Sequence, residues 1–283
     1  MNSELNYSTL VKKTIRLALL EDIGHGDITS SLIVPHSSKA KARVFAKEDL
    51  ILAGMPFVKE VFAALDPDVR EKTFFKEGTA LKKGDVIAEI SGRARSILAG
   101  ERVSLNILQR MSGIATLTRT YVEKVSGLPV RIADTRKTAP GLRFMEKYGV
   151  RTGGGANHRF GLYDGILIKD NHIKVAGSVR KAIKCAEKAH HLMKIEVEVK
   201  NIEELNEALD AGADIVMLDN MSPEDMAKAA GLAKGRVLLE ASGNVTLDNV
   251  RSIAETGVDI ISIGALTHSA RAMDISMKIT RSK

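Results

Sequence analysis

The chain has 283 residues, 44% of them hydrophobic and 27% charged, enough for one large globular domain or two modest ones. The single cysteine, Cys185, excludes an internal disulfide framework, and no apolar run reaches the length of a signal-peptide core or a membrane helix, so cytoplasmic residence is expected. A formal charge of +7 favours anionic partners, but Lys and Arg are dispersed and aromatics make up only 4%, which argues for small anions over nucleic acid.

Residues 8–21 (STLVKKTIRLALLE) place apolar side chains at helical spacing after a Ser/Thr cap. Residues 41–54 and 69–78 read as strands flanking a helix that begins at Met55-Pro56, and 81–94 adds a turn and another strand. From Ser96 to Ser126 runs a long helical pattern in which Gly113 marks a break. An α+β sandwich domain over 1–112 is the expectation.

From Pro129 the pattern changes to short apolar runs: PVRIAD, GILIKD, KIEVEVK, DIVMLDN, RVLLEASG and DIISIGA. Helical segments lie between them: 175–190, 202–212, 222–233 and 246–257. Repeated β-α-β implies parallel strands joined by right-handed crossovers. Recurrence about every twenty residues suits an α/β barrel with short loops. A TIM-like barrel, complete or not, is therefore expected over 113–272. A doubly wound sheet is less favoured because no G-x-G-x-x-G follows a first strand.

The apolar runs end in polar or glycine-rich residues: Asp134-Thr135-Arg136-Lys137, Lys169-Asp170-Asn171, Glu198, Asp219-Asn220, Glu240-Ala241-Ser242-Gly243 and Gly264. In a barrel such carboxyl ends share one mouth, where sites are built. Arg136, Lys137, His158, Arg159 and Lys169 form a basic set that would repel itself unless a multiply charged anion neutralised it. The glycines at 153–155 ahead of His158-Arg159 permit close backbone approach to a ligand. Glu198 and Asp219, on adjacent strands, suit Mg²⁺, which takes one or two carboxylates and leaves its other positions to water and phosphate. Glu196 is assigned the opposite strand face, leaving Glu198 as the mouth-facing carboxylate. Ser242-Gly243-Asn244 and Gly264 to His268, after the last two strands, have the placement of a phosphate loop.

Several stretches resemble the quinolinate phosphoribosyltransferase family in order and spacing. They are LLEDIGHGDIT (19–29), GERVSLNILQRMSGIAT (100–116), residues 133–173 from ADTRKTAPG to IKDNHI, EVEV (196–199), MLDN (217–220), EASG (240–243) and SIGALTHS (262–269). The resemblance implies a barrel behind a sandwich-like domain, with a C-terminal tail, 273–283, returning to that domain. It implies a homodimer or higher oligomer whose sites are completed across the interface. It further implies phosphoribosyl transfer from phosphoribosyl pyrophosphate to quinolinate with decarboxylation. The products are then nicotinate mononucleotide, pyrophosphate and CO₂, in de novo NAD biosynthesis, with Mg²⁺ bound alongside phosphoribosyl pyrophosphate. By the same resemblance Arg136, His158, Arg159 and Lys169 line the quinolinate pocket, joined by Arg102 of the partner subunit. Lys137 then meets a phosphate of phosphoribosyl pyrophosphate, Glu198 and Asp219 hold ribose hydroxyls and Mg²⁺, and Ser242, Gly243, Gly264 and His268 surround the 5′-phosphate. Lys137, Glu198 and Asp219 carry the catalytic roles. Three other readings stand beside this one: a relative associated with molybdenum transport, a Schiff-base aldolase using Lys169, and a nucleic-acid binder.

Overall fold

The computed structural model describes residues 2–233 and 235–282. Its strands, in chain order, are β1 (Lys39–Ala46), β2 (Leu50–Ile51), β3 (Arg70–Thr73), β4 (Ala80–Leu81), β5 (Val86–Arg93), β6 (Arg131–Ala133), β7 (Ile166–Ile168), β8 (Ile195–Val199), β9 (Ile215–Asp219), β10 (Leu238–Ser242), β11 (Ile260–Ser262) and β12 (Ile275–Ser282). The chain forms two compact units. One takes residues up to 119 with Thr138–Gly154 and the residues from 267 on; the other takes Thr120–Lys137 and Gly155–Leu266. The boundary expected at 112/113 lies inside the helix Ala94–Lys124. Among the described residues no helix is long and apolar enough to cross a membrane.

The first unit is built on an antiparallel sheet in the order β12-β1-β5-β3, with β2 and β4 forming a separate ribbon. Along β1 burial alternates residue by residue, as a strand with one face on a core requires. Ala42 and Val44 of β1, Ile87 and Ile90 of β5, and Ile275 of β12 pack in one apolar core. Val58 and Phe62 of the helix Met55–Leu65, with Ile97, Leu105 and Leu108 of the long helix, complete it. The helix expected over 8–21 is longer than its cap signal suggested, running Asn2–Ile23. β12 pairs antiparallel with β1 from Ala46↔Ile275 onward. Arg271 makes a two-pronged pair with Glu48 at 2.6 and 2.8 Å, and Asp274 N–H donates to the same carboxylate. Those bonds hold Glu48 well below the usual carboxylate range, at about 2, with the Arg271 bond the larger cause.

Gly113 does not break the long helix. A Cβ at this position would lie 1.9 Å from the carbonyl oxygen of Arg271, so the glycine serves close backbone approach within an unbroken helix.

The second unit contains six parallel strands in the order β6-β11-β10-β9-β8-β7. From β7 to β11 each strand neighbours its successor in the chain, and β11 returns to β6, so the strands follow one another round a barrel. A doubly wound sheet would reverse direction partway, so the order identifies an α/β barrel. It is an incomplete one, since β6 and β7 share no strand pairing among the described residues. At the seam, Ala156 bridges Ala133 in parallel, donating to Ile132 O at 2.8 Å. The helical pattern expected over 175–190 is split. Gly177 adopts φ 95°, ending the helix Asp170–Ala176, and Ser178 caps Val179–Ala186 by accepting from Lys181 N–H.

The close approach at Gly113 yields a stability prediction. Gly113→Ala is expected to destabilise the protein by about 3 kcal/mol, because the methyl meets backbone that cannot rotate away. Urea denaturation with unchanged stability would contradict this packing.

Candidate active site at the barrel mouth

Within the barrel unit, alternate residues of successive strands face inward. Leu167 and Lys169, Glu198, Met217 and Asp219, Glu240 and Ser242, and Ser262 all line one cavity of about 580 Å³. Pairing carries the layers round the sheet, since Met217 lies opposite both Glu198 and Glu240, and Asp219 lies opposite Ser242. Such a volume suits a small-molecule site.

The seam delivers the cationic wall. The carboxylate of Asp134, fully buried just after β6, accepts from the backbone N–H of His158 at 2.9 Å and from Asn157 Nδ2 at 2.6 Å. Arg136 and Lys137 leave β6 two and three residues later and also line the cavity. Arg159 is tied down by Nη1 donating to Gly165 O at 2.8 Å. The Nε atoms of both Arg136 and Arg159 are buried without a hydrogen-bonding partner. Burial first, and then the Arg136 guanidinium, lowers Arg159 from its ordinary pKa.

His158 has a defined tautomer. Its Nδ1 accepts from the Arg159 N–H at 2.8 Å, so the ring proton falls on Nε2, which donates to Glu196 Oε2 at 3.1 Å. Glu240 Oε1 lies 3.7 Å from the same nitrogen. Glu196 and Glu240 are 5% and 2% exposed, so two carboxylates are buried beneath one imidazole. Burial, and then the charge of Glu196, push Glu240 up to about 7.

This arrangement corrects the assignment of Glu196. Residues two apart on a strand share a face, so Glu196 and Glu198 both point into the barrel, one deep and one at the mouth. Glu198 Oε2 pairs with Lys169 Nζ at 3.3 Å. The basic and acidic sets are therefore in contact. The three inward glutamates supply part of the neutralisation that the sequence alone left to a ligand.

Of the residues singled out from the sequence, Arg136, Lys137, His158, Arg159, Lys169, Glu198, Asp219, Ser242 and Gly243 meet around this cavity. Gly264 follows β11 and is half-buried but does not line it. Arg102 and His268 belong to the other unit. Arg102 is exposed on the long helix, and His268 is exposed with Nδ1 2.6 Å from Ser269 Oγ. Sequence reasoning missed the buried Glu196–Glu240 pair, although the two-residue spacings 196/198 and 240/242 signalled a shared face. It also gave no individual role to Asp134 or to Asn220, which lines the cavity beside Asn244 of the expected phosphate loop.

Fold and cavity together define an α/β-barrel protein whose strand ends form a mouth lined by cations and carboxylates in contact. The chain belongs to the quinolinate phosphoribosyltransferase family: residues 27–112 match its N-terminal domain and 114–278 its C-terminal domain. It is 49% identical over 273 residues to the probable nicotinate-nucleotide pyrophosphorylase (carboxylating) of Bacillus subtilis, covering 96% of this chain and 94% of that one. It is 44% identical to quinolinate phosphoribosyltransferase (decarboxylating) 2b, mitochondrial, of Nicotiana tabacum, covering 95% and 82%. The solved nicotinate-nucleotide pyrophosphorylase of Francisella tularensis superposes with a TM-score of 0.92 at 43% identity, covering 96% of each chain.

The buried carboxylate pair gives a pH prediction. Glu240 titrates higher in the folded chain than its ordinary 4.5, so folding retains a proton that the unfolded chain releases. Its stabilising contribution is complete below about 4.5 and is lost as pH rises through about 7. Glu240→Gln cannot ionise, so its stability relative to wild type should improve steadily from pH 5 to pH 8 in urea titrations. A difference that does not change with pH would contradict the burial of this carboxyl.

Proposed function

We propose that this chain transfers a phosphoribosyl group from phosphoribosyl pyrophosphate to quinolinate with loss of CO₂, giving nicotinate mononucleotide and pyrophosphate for NAD biosynthesis. The observation that carries the reading is the pair of guanidinium groups, Arg136 and Arg159, whose Nε atoms are buried without partners beside a cavity of about 580 Å³. Buried donors need acceptors, and two planar forks suit a planar dicarboxylate. His158 Nε2 is engaged by Glu196, so in this reading its ring positions the pocket wall.

Glu198 and Asp219 face the same cavity from paired strands, and Ser242 adds a hydroxyl. Two carboxylates with room for water and phosphate oxygens form a donor set that fits Mg²⁺. When bound, the ion supplies positive charge to the pyrophosphate leaving group. Lys137, exposed at the mouth, contributes charge of the same sign from the protein. Breaking the bond from ribose C1 to pyrophosphate builds positive charge on the sugar, which Glu198 and Asp219 stabilise from the other wall. The arginines hold the pyridine nitrogen in line with C1, where orientation contributes much of the rate. After the new bond forms, the quaternised ring nitrogen stabilises the electron pair left at C2 when CO₂ departs. A proton then adds at C2. Lys169, held by Glu198 at 3.3 Å, stands where the two substrates meet. Lys169 is half-exposed and ion-paired, whereas a Schiff-base lysine sits in desolvated surroundings.

A homodimer or higher oligomer belongs to the same reading, with Arg102 of the partner subunit completing the quinolinate pocket. Supporting it, Arg102 is exposed, and the N-terminal helices leave Leu17, Leu20, Ile28, Leu32 and Ile33 exposed. Cytoplasmic residence is part of it too, supported by Cys185 being an exposed free thiol.

Purified protein supplied with quinolinate, phosphoribosyl pyrophosphate and Mg²⁺ is expected to release CO₂ and form the mononucleotide, and absence of product would refute the reading. Arg136→Ala and Arg159→Ala should each weaken quinolinate binding about a hundredfold. Affinity for phosphoribosyl pyrophosphate should change far less, and equal losses would refute the division of the cavity. Mixing Arg102→Ala chains with Lys169→Ala chains should restore part of the activity through hybrid oligomers. No recovery after demonstrated subunit exchange would exclude the shared site.

A further inference from the structure

Among the described residues, only two that are not glycine have left-handed backbone: Asn220 at φ 55° and Asn244 at φ 50°. They follow β9 and β10, and both line the cavity. Such a conformation costs a side chain about 1 kcal/mol or more, and a glycine would avoid it. Asparagine tolerates this backbone better than other side chains, so what distinguishes it from glycine here is the hydrogen bonding of its amide.

Their hydrogen bonds form a single connected set. Asn220 Nδ2 donates to Asp219 Oδ1 at 2.9 Å, and Asn220 Oδ1 accepts from Asn244 Nδ2 at 3.0 Å. An ionised carboxylate only accepts, so Asp219 fixes which way the Asn220 amide faces, and that in turn fixes Asn244. The backbone N–H of Asn220 donates to Ser242 O at 2.9 Å. Asn249 Nδ2 donates to Asn244 O at 3.0 Å, extending the set into the following turn. A Cβ at Gly243 would lie 2.2 Å from Asn220 Oδ1, so the amide occupies the space that this glycine leaves open. One oxygen of Asp219 is thus held by the protein, and the carboxylate and the Ser242–Asn244 loop are locked to each other.

We propose that Asn220, supported by Asn244, is a positioning residue for the sugar-phosphate substrate, aiming the Asp219 carboxylate and fixing the Ser242–Asn244 loop as one rigid surface. The ligand class is a phosphorylated pentose with vicinal hydroxyls. This rests on the reading of the cavity given above. The amide does not touch the substrate; it acts through Asp219 and through the loop.

The test uses Asn220→Gly, which keeps the left-handed backbone without strain and removes only the amide. Its thermal midpoint should equal or exceed that of wild type. The KM for phosphoribosyl pyrophosphate, and its calorimetric Kd with Mg²⁺ present, should both rise about tenfold or more, while quinolinate affinity moves less than twofold. Asn244→Gly should show a smaller rise, and the double variant no more than Asn220→Gly alone, since Asn244 acts through Asn220. An unchanged KM and Kd for phosphoribosyl pyrophosphate in Asn220→Gly, with wild type active, overturns this proposal alone. Equal losses for both substrates with a lowered midpoint overturn it as well, because they mark a purely structural residue. A wild-type protein inactive with both substrates overturns the functional reading and this proposal with it.

Discussion

The barrel depends on the Asp134 carboxylate. It is fully buried where β6 and β7, among the described residues, do not pair, and its bonds to Asn157 and His158 stand in for a strand partner. A buried carboxyl group needs its oxygens hydrogen-bonded, so Asp134 holds Asn157 and His158 beside the end of β6, where Ala156 already bonds to Ile132 O. That placement sets His158 and Arg159 beside Arg136, which leaves the same strand two residues beyond Asp134. Loss of the seam would leave the cations on an unanchored connection.

The cavity is also balanced vertically. Two arginines and two lysines stand at the mouth, the His158 imidazole lies below, and two carboxylates sit at the floor. Glu240, raised to about 7, can hold a proton near neutrality, which limits the negative charge placed beneath an anionic substrate. The cationic wall therefore holds together before ligand binding without being neutralised outright.

Much of this was legible in the sequence for identifiable reasons. Parallel strands buried on both faces write themselves as apolar runs, and polar residues at the strand ends mark the mouth, which is why Arg136, Lys169, Glu198 and Asp219 were found. Helix continuity was not legible at Gly113, because the contact that requires glycine there comes from Arg271, far along the chain. The split at Gly177 needed backbone dihedrals, though glycine followed by serine is the usual stop-and-cap signature. Glu196 was lost to a parity error, since spacing by two already put it beside Glu198. The tautomer of His158, the raised carboxyl of Glu240 and the amide chain of Asn220 depend on distances across strands, and no local pattern encodes them.

The placement of β12 has a consequence for how the chain is made. β1 lies between β5 and β12, so pairing with β5 leaves one of its edges as a row of open N–H and C=O groups. That edge is filled by residues 275–282, more than two hundred positions downstream. During synthesis at about 5–20 residues per second, an open strand edge persists for roughly ten seconds or more while the whole barrel segment is still being added. Such an edge is a template for wrong pairing. Lys39, Lys41 and Arg43 alternate along β1, and charged side chains of this kind discourage a second nascent chain from adding, even with Lys41 and Arg43 paired to Glu89 of β5.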